Sequence, residues 1–203
     1  MKNTNHSLFD KYEMIKDLGT GSSGSVTLVR HISMDQERAL KKVPKSSAFA
    51  ESALSEARLL KSLEHPSIPR IFDFEEDDAF YYIVEEYIDG ETLDSFLLHQ
   101  QLISPGLFFN ICEQLCNVFI YLHTQISTPI IYRDLKPEHI IVCHNKLKLI
   151  DFGVSAYVIQ DGNNFNHYGN IEFSAPECFT EDTITQAADI YSLGQLLQYI
   201  LTF

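Results

Sequence analysis

The stretch that decides the fold is residues 130–153, which read IIYRDLKPEHIIVCHNKLKLIDFG. It contains two apolar runs, 140–143 and 147–150, which are typical of β-strands and are separated by a short polar turn. Two strands joined by so short a turn predict a β-hairpin. A hairpin brings the residues before its first strand close to those after its second. We therefore expect Asp134 and Lys136 to lie near Asp151.

Two carboxylates and an amine in one small volume fit phosphoryl transfer. One carboxylate can orient a hydroxyl nucleophile, the amine can neutralise the phosphate, and the second carboxylate can hold magnesium. A solvated surface hairpin with charged ends would show similar residues. The spacing of seventeen residues between Asp134 and Asp151, with Lys136 and Pro137 between them, makes the pattern specific. The stretch resembles the catalytic loop and Asp-Phe-Gly segment of eukaryotic-type (Hanks-type) serine/threonine protein kinases.

The composition is that of a soluble globular protein. The chain has 203 residues, of which 45% are hydrophobic and 21% charged, and its formal net charge is −13. Such acidity argues against nucleic-acid binding, which needs a basic patch. Neither a signal-like start nor a long apolar run is present, so we expect no membrane span and a cytoplasmic location. Reduced, buried thiols are expected at Cys112, Cys116, Cys143 and Cys178, which lack metal-site spacing.

A glycine-rich turn follows the first predicted strand and reads Gly19-Thr-Gly21-Ser-Ser-Gly24-Ser-Val26. A strand follows it, whereas a helix follows the glycines of a P-loop or a dinucleotide fold. Glycines let the backbone approach phosphates and Val26 can pack over a base, which is how the kinase glycine-rich loop covers ATP. A flexible hairpin turn is the alternative interpretation.

The next strand carries Ala39 and Lys41 on one face, because side chains alternate along a strand. The resemblance implies that Ala39 contacts adenine and that Lys41 binds the α- and β-phosphates. A helix over 51–63 is predicted next, and it ends before His65-Pro66. Glu56 lies in this helix at the position of the family glutamate that pairs with the lysine. An ordinary exposed acid is the alternative.

Strands predicted over 68–74 and 80–87 lead into a segment that resembles the kinase hinge. The resemblance implies that backbone groups near Glu86 and Ile88 bind adenine. Glu85 stands where the family usually has an apolar or small residue. A carboxylate there must be paired or protonated, so we expect Glu85 to bond Lys41 or to narrow the pocket.

The predicted fold is α+β and bilobal, with a small antiparallel sheet lobe that carries one helix and a mainly helical rear lobe. We expect a flexible leader over 1–11, an N-terminal lobe over 12–88 and a C-terminal lobe over 89–203 that lacks the last helices of the family. In the last predicted helix, Asp189 is implied to brace the catalytic-loop backbone. With no later sequence to cover this helix, a partner or self-association is expected to bury a set of apolar side chains: Leu193, Leu196, Leu197, Ile200 and Leu201.

The segment 154–172 resembles the activation segment of the family, and it leads to Ala-Pro-Glu at 175–177. Arg133 is the usual receiver of a phosphate on this segment, because a guanidinium pairs well with phosphate. The candidate phosphorylation sites are Ser155, Tyr157 and Tyr168.

Three further residues depart from the family pattern. Tyr132 replaces the histidine before Arg-Asp, and it can still stack on Phe152. His139 replaces the asparagine that helps to hold metal, which puts the second metal site in doubt because magnesium prefers oxygen ligands. Asn170 replaces the threonine that bonds the catalytic aspartate and lysine, and its amide can imitate that bond.

The resemblance implies an ATP-dependent protein serine/threonine kinase that uses Mg²⁺ or Mn²⁺. Asp134 would orient the substrate hydroxyl, Lys136 would steady the γ-phosphate, and Asp151 with His139 would hold metal. ATP binding is implied for Gly19, Gly21, Gly24, Val26, Ala39, Lys41, Glu56, Glu86 and Ile88. The alternative is a pseudokinase or regulatory nucleotide-binding module, which His139 and Glu85 favour. A small-molecule kinase is a third interpretation, but it would lack the Ala-Pro-Glu segment.

Overall fold

The computed structural model describes residues 8–21, 24–100, 102–157, 170–180 and 184–203. The chain divides into two compact units. Unit 1 comprises Met1–Glu64 and Pro69–Tyr87, and unit 2 comprises His65–Ile68 and Ile88–Phe203. The division thus falls one residue before the predicted boundary, and the short segment after the first long helix belongs to unit 2.

Unit 1 is built on a five-stranded antiparallel sheet in the order β1-β2-β3-β5-β4. Its strands are β1 (Tyr12–Gly21), β2 (Gly24–His31), β3 (Gln36–Pro44), β4 (Ile71–Glu76) and β5 (Phe80–Glu86). Its helices are α1 (Leu8–Lys11) and α2 (Ala50–Lys61). The sheet and the helix predicted over 51–63 are therefore present.

The alternation of β3 separates two apolar clusters on the two faces of the sheet. Val43 packs with Ala53 and Ala57 of α2 and with Ile83 of β5. Leu40 belongs to the other cluster, whose remaining members are Leu8, Tyr12, Val29, Tyr82 and Val84. Because side chains alternate, Ala39 and Lys41 lie on the face that α2 covers.

Residues 8–11 are not a flexible leader, so that part of the prediction is wrong. They form α1, in which the Leu8 side chain is fully buried. The Leu8 backbone N–H donates to Glu75 Oε2 at 2.8 Å, and Lys11 Nζ lies 2.8 Å from Asp73 Oδ2. Because the neighbouring residues are mostly polar, the sequence does not indicate that the Leu8 side chain is buried. Residues 1–7 lie outside the described part of the chain.

We expect Leu8→Ala to lower the free energy of unfolding by about 2–3 kcal/mol, because it removes a fully buried leucine from a packed cluster. Urea unfolding followed by circular dichroism would measure the loss. Met14→Ala is the matched control, since Met14 is 45% exposed on β1. Equal unfolding midpoints for the two variants would show that α1 is not anchored.

Unit 2 combines short strands with longer helices. Its strands are β6 (Glu91–Thr92), β7 (Ile130–Ile131), β8 (Ile140–Cys143), β9 (Lys146–Leu149) and β10 (Ala156–Tyr157). Its helices are α3 (Leu93–Leu98), α4 (Pro105–Ile120), α5 (Glu177–Thr180) and α6 (Ala187–Ile200), with a π-helical turn at Tyr121–Gln125 and a 3-10 turn at Pro137–His139. The Thr92 and Ser104 side chains cap α3 and α4, which fixes where these helices begin.

The predicted hairpin is formed by β8 and β9, which pair in antiparallel register from Ile140–Leu149 to Cys143–Lys146. The two turn residues, His144 and Asn145, have φ of 47° and 62°. Positive φ at both central residues matches the tight turn that joins twisted antiparallel strands. The hairpin therefore has a fixed register, and this register determines where the residues at its open end lie.

Helix α6 buries more of its apolar surface than the sequence predicts. Leu193, Leu196 and Ile200 are all buried within unit 2, where α6 packs against α4, so the expectation that they lack cover is wrong. Leu201 is 65% exposed, as expected. Ile190 and Tyr191, on the outer face of α6, are also exposed.

The cysteines also differ from expectation, because only Cys178 is buried. Cys112 and Cys143 are half-buried and Cys116 is exposed, and all four thiols are free. Burial raises the pKa of the Cys112 and Cys178 thiols. Among the described helices, none combines the length and apolar character needed to cross a bilayer.

Candidate active site

Asp189 of α6 holds the backbone that leads to Asp134. Its carboxylate is fully buried and accepts the backbone N–H groups of Tyr132 and Arg133, both at 2.9 Å. The same carboxylate lies 2.8 Å from His123 Nε2. Arg133 has φ of 76°, a conformation that non-glycine residues adopt only when their surroundings fix it. The expected bracing role of Asp189 is confirmed.

Tyr132 connects the segment before Asp134 to the Asp-Phe-Gly segment. Its ring is fully buried and contacts Phe152 edge-to-face, with centroids 5.0 Å apart. Its hydroxyl donates a hydrogen bond to the Ile150 carbonyl. The predicted contact with Phe152 is present, although the rings meet edge-to-face instead of stacking. Tyr132 thus links the chain before the hairpin to the chain directly after it.

Asp134 and Lys136 form a close pair at this end of the hairpin. Lys136 Nζ lies 2.9 Å from Asp134 Oδ2, and both side chains are about four-fifths buried. Asp151 lies beside them with its side chain 53% exposed and its backbone at φ of 60°. An exposed carboxylate held in a rare backbone conformation is suited to bind a ligand.

His139 lies between the two aspartates. Its Nδ1 is 3.0 Å from the Asp134 carbonyl oxygen, and its Nε2 is 3.4 Å from Asp151 Oδ2. The side chain is only 12% exposed. Within unit 2, the structure therefore brings together the four residues that the sequence predicts for catalysis and metal binding: Asp134, Lys136, His139 and Asp151.

Unit 1 carries the predicted lysine–glutamate ion pair. Lys41 Nζ lies 2.7 Å from Glu56 Oε2, and the two side chains are 18% and 8% exposed. Glu56 is therefore not an exposed helix acid. Ala39 lies directly opposite Glu85 in the β3–β5 register, so their side chains share the face that carries Lys41.

The glycine-rich turn is a β-hairpin, as predicted, with Gly21 paired to Gly24. Gly19 and Gly24 have φ of 148° and 149°, which favour glycine. A Cβ at residue 24 would lie 2.1 Å from the Lys42 carbonyl oxygen, so no other residue fits without movement of the backbone. Val26 is paired with Lys41, which places it on the same face of the sheet. Residues 22 and 23 lie outside the described range.

The protein kinase domain model matches residues 12–203. This chain belongs to the protein kinase domain family. It is 31% identical over 201 residues to the serine/threonine-protein kinase PrkC of Bacillus subtilis (strain 168), an alignment that covers 95% of this chain and 30% of PrkC. It is 32% identical over 188 residues to the serine/threonine-protein kinase ppk25 of Schizosaccharomyces pombe, covering 90% of this chain and 44% of ppk25.

A third relative of the kinase domain is calcium-dependent protein kinase 4 of Plasmodium falciparum (isolate 3D7). It is 32% identical over 217 residues, which cover 100% of this chain and 39% of that protein. The kinase domain thus spans less than half the length of these relatives. The family confirms the predicted α+β kinase fold.

In this kinase domain the Glu86 backbone N–H donates to the Arg70 carbonyl at 2.9 Å. A contact of Glu86 with adenine would therefore use its carbonyl oxygen. Ile88 is half-buried and is the first residue of the second segment of unit 2.

The Asn170 side chain is used locally in the kinase domain. Its Oδ1 accepts the Glu172 backbone N–H at 2.9 Å. Of the candidate phosphorylation sites, Ser155 has its hydroxyl in a hydrogen bond, which it donates to the Tyr132 carbonyl at 3.1 Å. Tyr168 and the Tyr157 side chain lie outside what the structure describes.

Two contacts of α6 in the kinase domain were not predicted. His123 contacts Asp189, as described above, and Tyr199 of α6 donates to Asp94 Oδ1 at 2.6 Å. This hydrogen bond and burial raise the pKa of Tyr199 to about 12. Only the helical spacing of Phe119 and His123 hinted at an inward-facing histidine, because its partner is 66 residues away.

Proposed function

We propose that this kinase domain transfers the γ-phosphate of ATP to serine and threonine hydroxyl groups of proteins. The observation that carries the proposal is that Asp134, Lys136 and Asp151 cluster at one end of the hairpin, directly after the backbone of residues 132–133 that Asp189 braces. The names of the relatives, all serine/threonine-protein or calcium-dependent protein kinases, support this class of reaction.

Each residue of the catalytic end has a role that its position supports. The Asp134 carboxylate would orient the attacking hydroxyl and accept its proton. Lys136, 2.9 Å from that carboxylate, would carry positive charge to the transferred phosphate. Asp151 fits a magnesium or manganese ion, because its carboxylate is exposed and offers oxygen ligands. When bound, such an ion neutralises the charge on the phosphate oxygens.

Unit 1 would hold the nucleotide. Glu56 fixes the Lys41 ammonium, which would bind the α- and β-phosphates. The backbone of the glycine-rich hairpin would cover the phosphates, while Val26 and Ala39 would pack against the base. The remaining proposed contacts are backbone groups at Gly19, Gly21, Gly24, Glu86 and Ile88.

The substrate, partners and compartment are proposals as well. We expect a protein substrate and no binding to nucleic acid or membrane, given the net charge of −13. The free thiols favour a reducing compartment, and we place the protein in the cytoplasm. A partner or a second copy would cover the exposed outer face of α6 at Ile190 and Tyr191.

A pseudokinase that binds nucleotide without transferring phosphate is the second candidate. His139 favours it, because an imidazole replaces the oxygen ligand that magnesium prefers. The retention of Asp134, Lys136 and Asp151 in one cluster opposes it.

Two measurements on the full chain separate these candidates. The first is the melting temperature with and without ATP and divalent metal. The second is transfer of radiolabelled phosphate to the chain itself and to a generic basic protein, with Mg²⁺ or Mn²⁺. A kinase gives both a stabilising shift and transfer. A shift without transfer would indicate the pseudokinase, and the absence of both would contradict each candidate.

Lys41 gives a specific test of the nucleotide half. We expect Lys41→Met to reduce phosphate transfer on the order of a hundredfold, because it removes the cation proposed for the phosphates. Steady-state rates at several ATP concentrations would measure this loss. Lys42→Met is the matched control, since Lys42 lies on the opposite face, 4.0 Å from the centre of the Phe80 ring. Equal rates for the two variants would refute the role of Lys41.

A further inference from the structure

The hydrogen bond of His139 fixes which of its ring nitrogens is available to a ligand. Nδ1 lies 3.0 Å from the Asp134 carbonyl oxygen. A carbonyl can only accept, so Nδ1 must carry the hydrogen. In the neutral imidazole the lone pair is then on Nε2.

The Nε2 atom of His139 faces the carboxylate of Asp151 at 3.4 Å from Oδ2. Two donor atoms that each bind one ion at about 2.1 Å lie roughly 3.0–3.4 Å apart when the angle between them is about 90–109°. The observed separation falls within this range. Nε2 and Oδ2 are thus spaced to share one cation.

The surroundings of His139 resemble those of histidines that bind metals. Such histidines usually donate their second ring N–H to a carbonyl or carboxylate, which fixes the orientation of the ring. The His139 backbone is held on both sides, because its N–H donates to the Lys136 carbonyl at 3.0 Å and its carbonyl accepts the Ile150 N–H at 2.8 Å. The ring is therefore positioned before any ligand arrives.

We propose that His139 is a nitrogen ligand that, together with Asp151, makes the kinase domain prefer a first-row transition-metal ion to Mg²⁺ at this position. Imidazole suits transition metals, whereas Mg²⁺ prefers oxygen ligands. The inference rests on the proposed function, because nucleotide phosphates must supply further ligands. Within the described residues, no group of three or more His, Cys, Asp and Glu side chains could hold a metal ion without other ligands. The proposed site therefore consists of two side chains and the phosphates.

The test compares the wild-type chain with His139→Asn and a matched control, His144→Asn. His144 is exposed at the opposite end of the same hairpin, and its φ of 47° is one that asparagine also adopts readily. Isothermal titration would measure the binding of Mg²⁺, Mn²⁺ and Co²⁺ in the presence of a non-hydrolysable ATP analogue. Pulsed electron paramagnetic resonance of the Mn²⁺ complex would detect a histidine nitrogen bound to the metal.

We expect a histidine nitrogen signal in the wild type and in His144→Asn, and its loss in His139→Asn. Removing the ligand should weaken Mn²⁺ and Co²⁺ binding on the order of tenfold, with the larger loss for Co²⁺, as expected from the affinity order of these metals. Mg²⁺ binding should be unchanged or tighter in His139→Asn. Magnesium-dependent phosphate transfer should then rise relative to manganese-dependent transfer.

Two results would overturn the inference, and they are distinguishable. If the analogue binds with metal but the wild type gives no nitrogen signal, or if all three metals bind the wild type and His139→Asn alike, His139 is not a ligand while the proposed function stands. If the analogue binds with none of the metals, both the inference and the proposed function fail.

Discussion

Asp134→Asn is expected to reduce phosphate transfer by on the order of 10²–10⁴-fold, the range that positioned general bases contribute. The amide has the same shape as the carboxylate but cannot accept the hydroxyl proton. Lys136 Nζ, now 2.9 Å from Asp134 Oδ2, would keep an oxygen partner in the amide. Nucleotide binding and stability should therefore change little. Single-turnover transfer and the ATP-dependent melting shift would measure the two properties separately.

The matched control for this prediction is Asp35→Asn. Asp35 is 84% exposed in the turn between β2 and β3, and its φ of 47° suits asparagine. We expect it to transfer phosphate at the wild-type rate. Transfer by Asp134→Asn at a rate within a factor of about three of this control would mean that another group handles the hydroxyl proton.

Asp189→Ala is expected to cause the largest loss of stability, about 3–5 kcal/mol. The buried carboxylate accepts from two backbone N–H groups and contacts His123, and alanine would leave all three without that acceptor. For a chain of this size the melting temperature should fall by roughly 6–20 °C. Urea unfolding and calorimetry would measure the change, and transfer should be lost because the catalytic-loop backbone is released.

A second variant keeps this test decisive if Asp189→Ala does not fold. His123→Phe removes only one of the three contacts and fills most of the space of the ring. It should cost about 1 kcal/mol and preserve most of the transfer activity. Wild-type stability of Asp189→Ala, or a loss in His123→Phe as large as that in Asp189→Ala, would contradict the bracing role.

The sequence predicted those features that depend on local pattern. The β8–β9 hairpin follows from two apolar runs separated by a polar turn, and its register follows from the tight turn at His144 and Asn145. The Lys41–Glu56 pair was predicted from the resemblance to kinases, which selects one lysine on the predicted strand and one glutamate on the predicted helix. Local rules of this kind predict the strands and helices, and the resemblance to kinases indicates which of their residues belong to the candidate site.

Features that depend on distant packing were not predicted. Leu8 is buried by side chains of strands that come later in the chain. Its sequence neighbours are mostly polar, and they led to the wrong prediction of a flexible leader. Likewise, the inner face of α6 is covered by elements of unit 2, which sequence order could not show. These failures arise because tertiary contacts override what a short segment prefers.

His139 shows the same limit within the site itself. From the sequence, the resemblance placed it with Asp151 at the metal, but its imidazole put the second metal site in doubt. The direction of its ring depends on one hydrogen bond to the Asp134 carbonyl and on the return of the hairpin to Asp151. The spacing of residues along the sequence shows neither this hydrogen bond nor the position of Asp151. Both determine whether the imidazole can bind a metal ion.

The measurement that tests the central claim most directly is the identity of the phosphorylated residue after incubation of the chain with γ-labelled ATP. Acid hydrolysis and separation of the labelled amino acids would give it. The proposed function predicts label in phosphoserine or phosphothreonine, dependent on divalent metal and lost in Asp134→Asn. Label confined to other residues, or no label from a chain that binds ATP, would contradict it.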